Sequence, residues 1–408
     1  MMPPPCGGSR DPVPPGRSDR ARDEECHMRD FEADAIESWL VGTLLPSWLG
    51  RVWSAERPGY VEMVSPDGIA VESDARSTLV TARLAYVFSH AHLLGVPGAI
   101  DAARHGMEFL WRCCRRLDGH VSHRCTIRGE PVDPRSDFYD LAFVIFACGW
   151  FARASGERIW LERAEAVMGF IETTLAHPEG GFAEDTLGSL PRRQNPHMHL
   201  LEACHAMAES GGGDRWLARA ESLVRLMQER MLDAGTGSLG EFFTEGWQPA
   251  AGRTGQIREP GHHYEWTWLL HHHDRLTAGR RAQAAARRLY GFADRCHGAG
   301  PAHPVVNAIA PDGGLLDGAC LLWPQTEYLK ALAARIEFEH DADAGAKLDP
   351  HLAVVFARFV DRGSGLWINR VDAAGAPDRA AVPVRVLYHL LLALVEVVRV
   401  KRLVAARG

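Results

Sequence analysis

Six residues able to transfer protons, carry charge or stack on a substrate recur at nearly even intervals along this chain. They are Arg83, Tyr139, His199, His262, Trp323 and His389, spaced 56, 60, 63, 61 and 66 residues apart. Each lies in a segment with apolar residues three and four apart: LVTARLAYVF, SDFYDLAF, QNPHMHLLEA, PGHHYEWTWLL, LLWPQTEYL and RVLYHLLLAL. Asn195, Glu265 and Glu327 fall in the same segments. Imidazoles take and return protons near neutral pH, and a carboxylate on one ring nitrogen fixes the tautomer of the other. His262 and Glu265 are three residues apart, on one helical face, so Glu265 is expected to orient His262 as a general acid/base.

Each residue also has a plain reading. Asn195 before Pro196 could be a helix cap, Tyr139 and Trp323 could be packing, and His199 could be a core histidine satisfied by a neighbour. His389 is harder to set aside, because an imidazole among Leu387, Leu390, Leu391 and Leu392 needs a partner. A metal site is the rival chemistry, with His197, His199, Glu202, His262, His263 and Glu265 as donors. No HExxH or comparable spacing supports it, so no metal or other cofactor is expected. His271, His272 and His273 fall at the end of their helical segment and are expected to be solvated or to favour the helix C-terminus.

The elements that must position these residues are helices. The periodicity predicts twelve: 31–48, 77–95, 99–116, 137–154, 158–175, 195–211, 214–232, 262–276, 280–297, 319–337, 341–361 and 381–403. Short breaks follow the second, fourth, sixth, eighth and tenth helices, the first four marked by Gly and the last at His340. Long connections follow the odd-numbered ones, several pairing a β-rich run with a Gly or Asp-Gly turn, as expected of small β-hairpins. Six helical hairpins cannot bury their apolar stripes alone and must stack. The strongly apolar last segment lacks the polar face of a solenoid cap, which favours closure. The expected fold is all-α, an (α/α)6 barrel spanning residues 30–408, with the long loops and the six spaced residues on one face.

Composition removes other classes. Lys+Arg 45 against Asp+Glu 52 gives a net charge of -7 with no basic run, which argues against nucleic-acid binding. Only Lys330, Lys347 and Lys401 are lysines, which reads as compositional bias. Nine cysteines without a CxxC pair suit a reducing cytoplasm rather than a zinc ribbon or a disulfide framework. No window approaches a membrane-spanning run of apolar residues. Residues 1–29, rich in Pro, Gly, Arg and acid, read as a disordered tail. The outer helices could make a homodimer, but no stripe on them is distinctive.

TARLAYVFSHAHLLG, YDLAFVIFACGWFARASGE, QNPHMHLLEACHAMAESGGGDRWLARA, PGHHYEWTWLL and WPQTEYLKA together resemble the N-acylglucosamine 2-epimerase superfamily. The resemblance implies an (α/α)6 barrel and metal-independent chemistry at the carbon beside a sugar carbonyl. It implies His262 and His389 as the catalytic pair, with Arg83, Asn195, His199, Glu265, Trp323 and Glu327, and less securely Tyr139, lining a sugar pocket. Disaccharide epimerases of the superfamily tend to carry a tryptophan shortly before the final histidine, and PVRVLYH has none. The expected activity is therefore aldose–ketose isomerisation of the mannose/fructose type. The alternatives are 2-epimerisation of an N-acylglucosamine or a cellobiose-type disaccharide, and isomerisation of mannose 6-phosphate. Arg192 and Arg193 could bind an anion, but solvated surface arginines are the expected reading. A glycoside hydrolase could use Glu265 and Glu327 as its carboxylates but would leave His389 without a task. A non-catalytic sugar- or protein-binding barrel is the remaining reading, and turnover unchanged in His389→Ala would favour it.

Overall fold

The computed structural model describes residues 31–297 and 300–407. The predicted tail falls outside them. Twelve helices are present among the described residues: α1 (33–52), α2 (Thr78–Leu93), α3 (99–114), α4 (Phe138–Ser155), α5 (159–175), α6 (Asn195–Glu209), α7 (214–231), α8 (Pro260–Thr277), α9 (Gln283–Cys296), α10 (322–339), α11 (Ala342–Arg358) and α12 (Leu387–Ala405). Helices α3, α5, α7 and α10 end in a widened π turn, and α1 contains one.

The even-numbered helices are buried on nearly every side, whereas α3, α7 and α9 bury one stripe. Contacts run α2–α4–α6–α8–α10–α12 and back to α2, so the buried helices neighbour one another in a cycle. Each odd-numbered helix from α3 to α11 packs on the inner helix before it, and α1 packs on α12. Helix α4 is apolar enough by composition to cross a membrane, but 72% of its apolar window is buried inside the molecule. Its apolar surface is therefore spent on α2 and α6.

The long loops form a second, thinner layer. Local hairpins occur as expected at Met63–Val64 with Ala70–Val71, Arg124–Thr126 with Pro131–Asp133, and Ala308–Ile309 with Leu315–Asp317. Strands also pair between successive loops, which local turn signals do not reveal. Ala75–Ser77 joins Arg124–Thr126, Arg192–Arg193 joins Phe242–Phe243, and Cys320–Leu321 joins Arg370–Val371. Val382–Pro383 pairs with Met63–Val64, tying the last long loop to the first. This pairing explains the one large boundary error. The predicted helix 381–403 starts at Leu387, because 382–383 are spent in that sheet and 384–386 form a 3-10 turn.

A candidate acid/base site at the mouth of the inner helices

A cavity of about 390 Å3 opens where the long loops meet the starts of the inner helices. Arg83, Tyr139, Asn195, His199, His262, Glu265, Trp323 and His389 all line it, so the in-phase residues converge. Glu327 lies behind the wall, where its Oε1 meets His389 Nδ1 at 2.8 Å.

His389 is buried, and Glu327 takes up its Nδ1, which leaves Nε2 for the cavity. Burial lowers its pKa well below the usual histidine value, and Arg83, Lys330, His199 and His262 lower it further. His389 is therefore a neutral imidazole. Its partner is the opposite. His262 Nδ1 lies 2.9 Å from Glu241 Oε2 and 3.4 Å from Glu259 Oε2. Burial alone would lower its pKa, but the charges of Glu241 and Glu259 outweigh it and raise the value from 6.5 to about 10. Trp323 stands between the two, its ring centroid 4.8 Å from His262 and 5.9 Å from His389.

The expected orienting role of Glu265 is corrected by this geometry. His262 sits in the first turn of α8 and turns its Nδ1 toward the loop layer, where Glu241 reaches it. Glu265, one turn deeper, faces the interior, 3.7 Å from Lys330 Nζ, and neither of its oxygens finds a hydrogen-bond donor in the protein. Glu241 is itself fixed, accepting from Gln194 Nε2 at 2.9 Å, and Gln194 Oε1 accepts from Trp266 Nε1 at 2.7 Å. Burial raises the pKa of Glu259 to about 7, Glu241 adding to the effect and His262 opposing it.

Arg83 donates to the Tyr139 hydroxyl at 2.7 Å, and its guanidinium lies 4.2 Å from the Phe143 ring centroid. Tyr139 thus aims a cation rather than simply packing. Asn195 does not cap α6: its Oδ1 has no partner in the protein, which leaves it for a ligand. His199 Nδ1 lies 3.0 Å from Glu202 Oε2, which also accepts from the Tyr388 hydroxyl.

Several surface or ligand readings give way. Arg192 is buried, with its guanidinium 3.7 Å from the Trp247 ring centroid and bonded to the carbonyl oxygens of Glu245, Gly180 and Phe182. Arg193 lines the cavity and donates to Glu184 at 2.5 Å. His197 and His263 have both ring nitrogens committed to structure. Each donates from Nδ1 to the carbonyl four residues back and accepts a loop N–H at Nε2, from Phe182 and Leu239. His271 and His273 are buried rather than solvated, within 3.1 Å of Glu339 and 3.0 Å of Glu221.

Among the described residues, donor atoms that could surround a metal ion cluster in three places: His199, Glu202 and Glu265; Glu241, Glu259 and His262; and Glu265, Glu327 and His389. The chain supplies its own cations at two of them. Lys330 Nζ lies 2.6 Å from Glu327 Oε2, and protonated His262 bridges Glu241 and Glu259.

Glu241, Glu259, Asn369 and Arg385 line the cavity without having been singled out by the sequence. Glu259 stands directly before PGHH, which is the one signal that could have flagged it.

The family model for N-acylglucosamine 2-epimerase matches residues 59–393, and the chain belongs to that family. A protein named mannose-6-phosphate isomerase from Rhizobium meliloti (strain 1021) is 32% identical over 374 residues, covering 90% of this chain and 96% of its own. The solved cellobiose 2-epimerase of Spirochaeta thermophila DSM 6192 superposes with TM-score 0.82 at 20% identity, covering 96% of this chain and 100% of that one. A solved D-mannose isomerase gives TM-score 0.81 at 21% identity, covering 90% and 97%. These two likenesses establish a shared fold. The family relationship makes the protein a carbohydrate isomerase or epimerase.

Proposed function

We propose that the chain is a histidine-dependent aldose–ketose isomerase of the mannose/fructose type, built on an (α/α)6 barrel and needing no metal ion. The observation that carries this reading is two histidines facing one cavity in opposite surroundings: His389, whose pKa burial and nearby cations lower, and His262, held between Glu241 and Glu259, which raise it. Environments that push two titratable groups apart assign the base and the acid. The cyclic neighbourhood of the inner helices supports the barrel. A cavity of about 390 Å3 suits a monosaccharide, being near the small end of the roughly 300–1,000 Å3 range of ligand pockets.

In this mechanism His389 Nε2 takes the proton from C2 of the open-chain aldose. The electrons of that C–H bond form a C1–C2 double bond, and His262 gives its proton to the carbonyl oxygen on C1. Arg83, aimed by Tyr139, stabilises the negative charge that develops on oxygen. The hydroxyl proton on O2 then returns to His262, C2 becomes the carbonyl carbon, and His389 delivers its proton to C1. The proton count closes and the product is the ketose. Asn195 and His199 hold hydroxyls along one wall, and Trp323 offers its face to the sugar ring. Delivery of a proton to C2 from the opposite side would give the 2-epimer instead. The missing tryptophan before Tyr388-His389 favours the isomerase over a disaccharide epimerase.

A phosphorylated hexose is a second reading. Arg193 and Arg385 line the cavity besides Arg83, and the Rhizobium meliloti relative bears the name mannose-6-phosphate isomerase. Proton NMR with mannose and with mannose 6-phosphate, each with EDTA, tests both readings. Fructose or fructose 6-phosphate is the expected product. Glucose formed without fructose would overturn the isomerase reading, and loss of turnover on metal removal would overturn metal independence.

A further inference from the structure

Behind the cavity wall, and reaching the cavity only at Glu265, lies a group of buried charges to which the mechanism gives no proton-transfer step. Glu202 on α6, Glu265 on α10's neighbour α8, and Glu327 on α10 are all buried. Among them sits Lys330, fully buried, its ammonium 2.6 Å from Glu327 Oε2, 3.7 Å from Glu265 Oε1 and 4.4 Å from the Trp268 ring centroid. Burial works to neutralise the lysine, but Glu327, Glu265 and Glu202 keep it charged. It is one of only three lysines in a chain that otherwise uses arginine. Lys330 does not line the cavity.

We propose that Lys330 is a positioning residue that keeps a proton off the Glu327–His389 pair, so that His389 presents a bare Nε2 to the substrate. Burial, Glu265 and Glu202 push the Glu327 carboxyl well above the usual carboxylate range, and Lys330, 2.6 Å from its Oε2, is the contact that pulls the other way. A protonated Glu327 would donate to His389 Nδ1 and move the imidazole proton to Nε2, the atom that must act as base. Transfer of that proton to Nδ1 would make an imidazolium, which is equally inert as a base. The other groups facing the pair are Arg83 from α2, His199 from α6 and His262 from α8, which lower the pKa of His389. Tyr388 hydrogen-bonds Glu202. Lys330 is the cation in direct contact with Glu327.

The inference rests on His389 being the base of the proposed reaction. Its primary readout, the nitrogen-15 shift of His389 without substrate, is independent of turnover and separates its failure from failure of that reaction. In 15N-histidine-labelled protein at pH 7.5, with His389 assigned by loss of its signals in His389→Asn, Nδ1 should carry the proton and Nε2 none. In Lys330→Met, Nε2 should become protonated, and the acid limb of kcat should rise by about one pH unit or more, the effect of losing a contacting buried charge. KM should change little. Glu265→Gln combined with Lys330→Met removes a carboxylate along with the cation, and should move the limb back down. A protonated Nε2 in the wild-type protein overturns the proposal even if Lys330→Met does not fold. So does a Lys330→Met protein with lowered Tm but an unmoved limb and an unchanged nitrogen shift, because a merely structural lysine would behave that way.

Discussion

Replacing Glu241 with glutamine removes a charge from His262 while keeping the side chain's shape. In the native site burial pulls the pKa of His262 down, yet Glu241 and Glu259 hold it at about 10. The lost interaction is a buried charge-assisted hydrogen bond of 2.9 Å. Such bonds contribute about 1.5–3 kcal/mol. At about 1.36 kcal/mol per pKa unit, that corresponds to about one to two units. Glu259, 3.4 Å away, remains and prevents a larger fall. The proton on His262 is required by the first step, so activity is lost as pH rises through its pKa. The alkaline limb of kcat should therefore move from near pH 10 down to about pH 8–9 in Glu241→Gln. The assay is ketose formation at saturating sugar between pH 6 and 10.5. Near pH 7 His262 stays protonated in both proteins, so the deficit should be small there and grow with pH. An alkaline limb that does not move, or an equal loss at every pH, would refute the assignment of Glu241 as the group that holds the acid protonated.

Gly261→Ala should impair turnover with little change in Tm. A Cβ there would lie 2.5 Å from Trp323 Cζ3, so the indole between the two histidines must shift. Misplacement of that size costs on the order of tenfold to a hundredfold in kcat, and near-ultraviolet circular dichroism should report the moved ring. The fold should also be acid-labile. Burial lowers His90 and His263 to about 4 and His197 and His351 to about 3. These groups stay neutral when folded but protonate below about 6.5 when unfolded. Stability is thus full above pH 6.5 and falls as pH drops toward their folded values, by about 2 kcal/mol per histidine at pH 5. Asp140 and Glu259, raised by burial to about 6 and about 7, offset part of this. Urea midpoints at pH 7.5 and 5 check the sign, and a higher midpoint at pH 5 would contradict it.

The parts of this molecule that were legible in the sequence are those governed by helical phase. His389 could be recognised because an imidazole inside a leucine-rich run demands a partner, and α10 supplies one in Glu327. The long and short loops were legible because Gly and Pro end helices locally, whereas the strand pairs between loops join residues far apart in sequence. Glu241 escaped notice for a related reason. It lies in a loop, where no periodicity fixes the direction of a side chain, and its target is 21 residues away. The helical rule led instead to Glu265, which shares a face with His262 but lies one turn deeper, beside Lys330. Lys330 looked like composition because nothing in WPQTEYLKA tells a buried ammonium from a solvated one. Arg192 and Arg193 looked like surface charge for the same reason; only the fold brings Trp247 and Glu184 to them.

The central claim is that His389 moves the proton between C2 and C1. Mannose incubated in deuterated water with the wild-type protein and with His389→Asn, followed by proton NMR, tests it most directly. With the wild-type protein the account predicts fructose that keeps the former C2 proton at C1, with solvent deuterium there only to the extent that the proton exchanges while it is held on His389. In the variant it predicts turnover lower by about 10²–10⁴-fold, the usual contribution of a general base. Fructose formed at an undiminished rate by His389→Asn would contradict it.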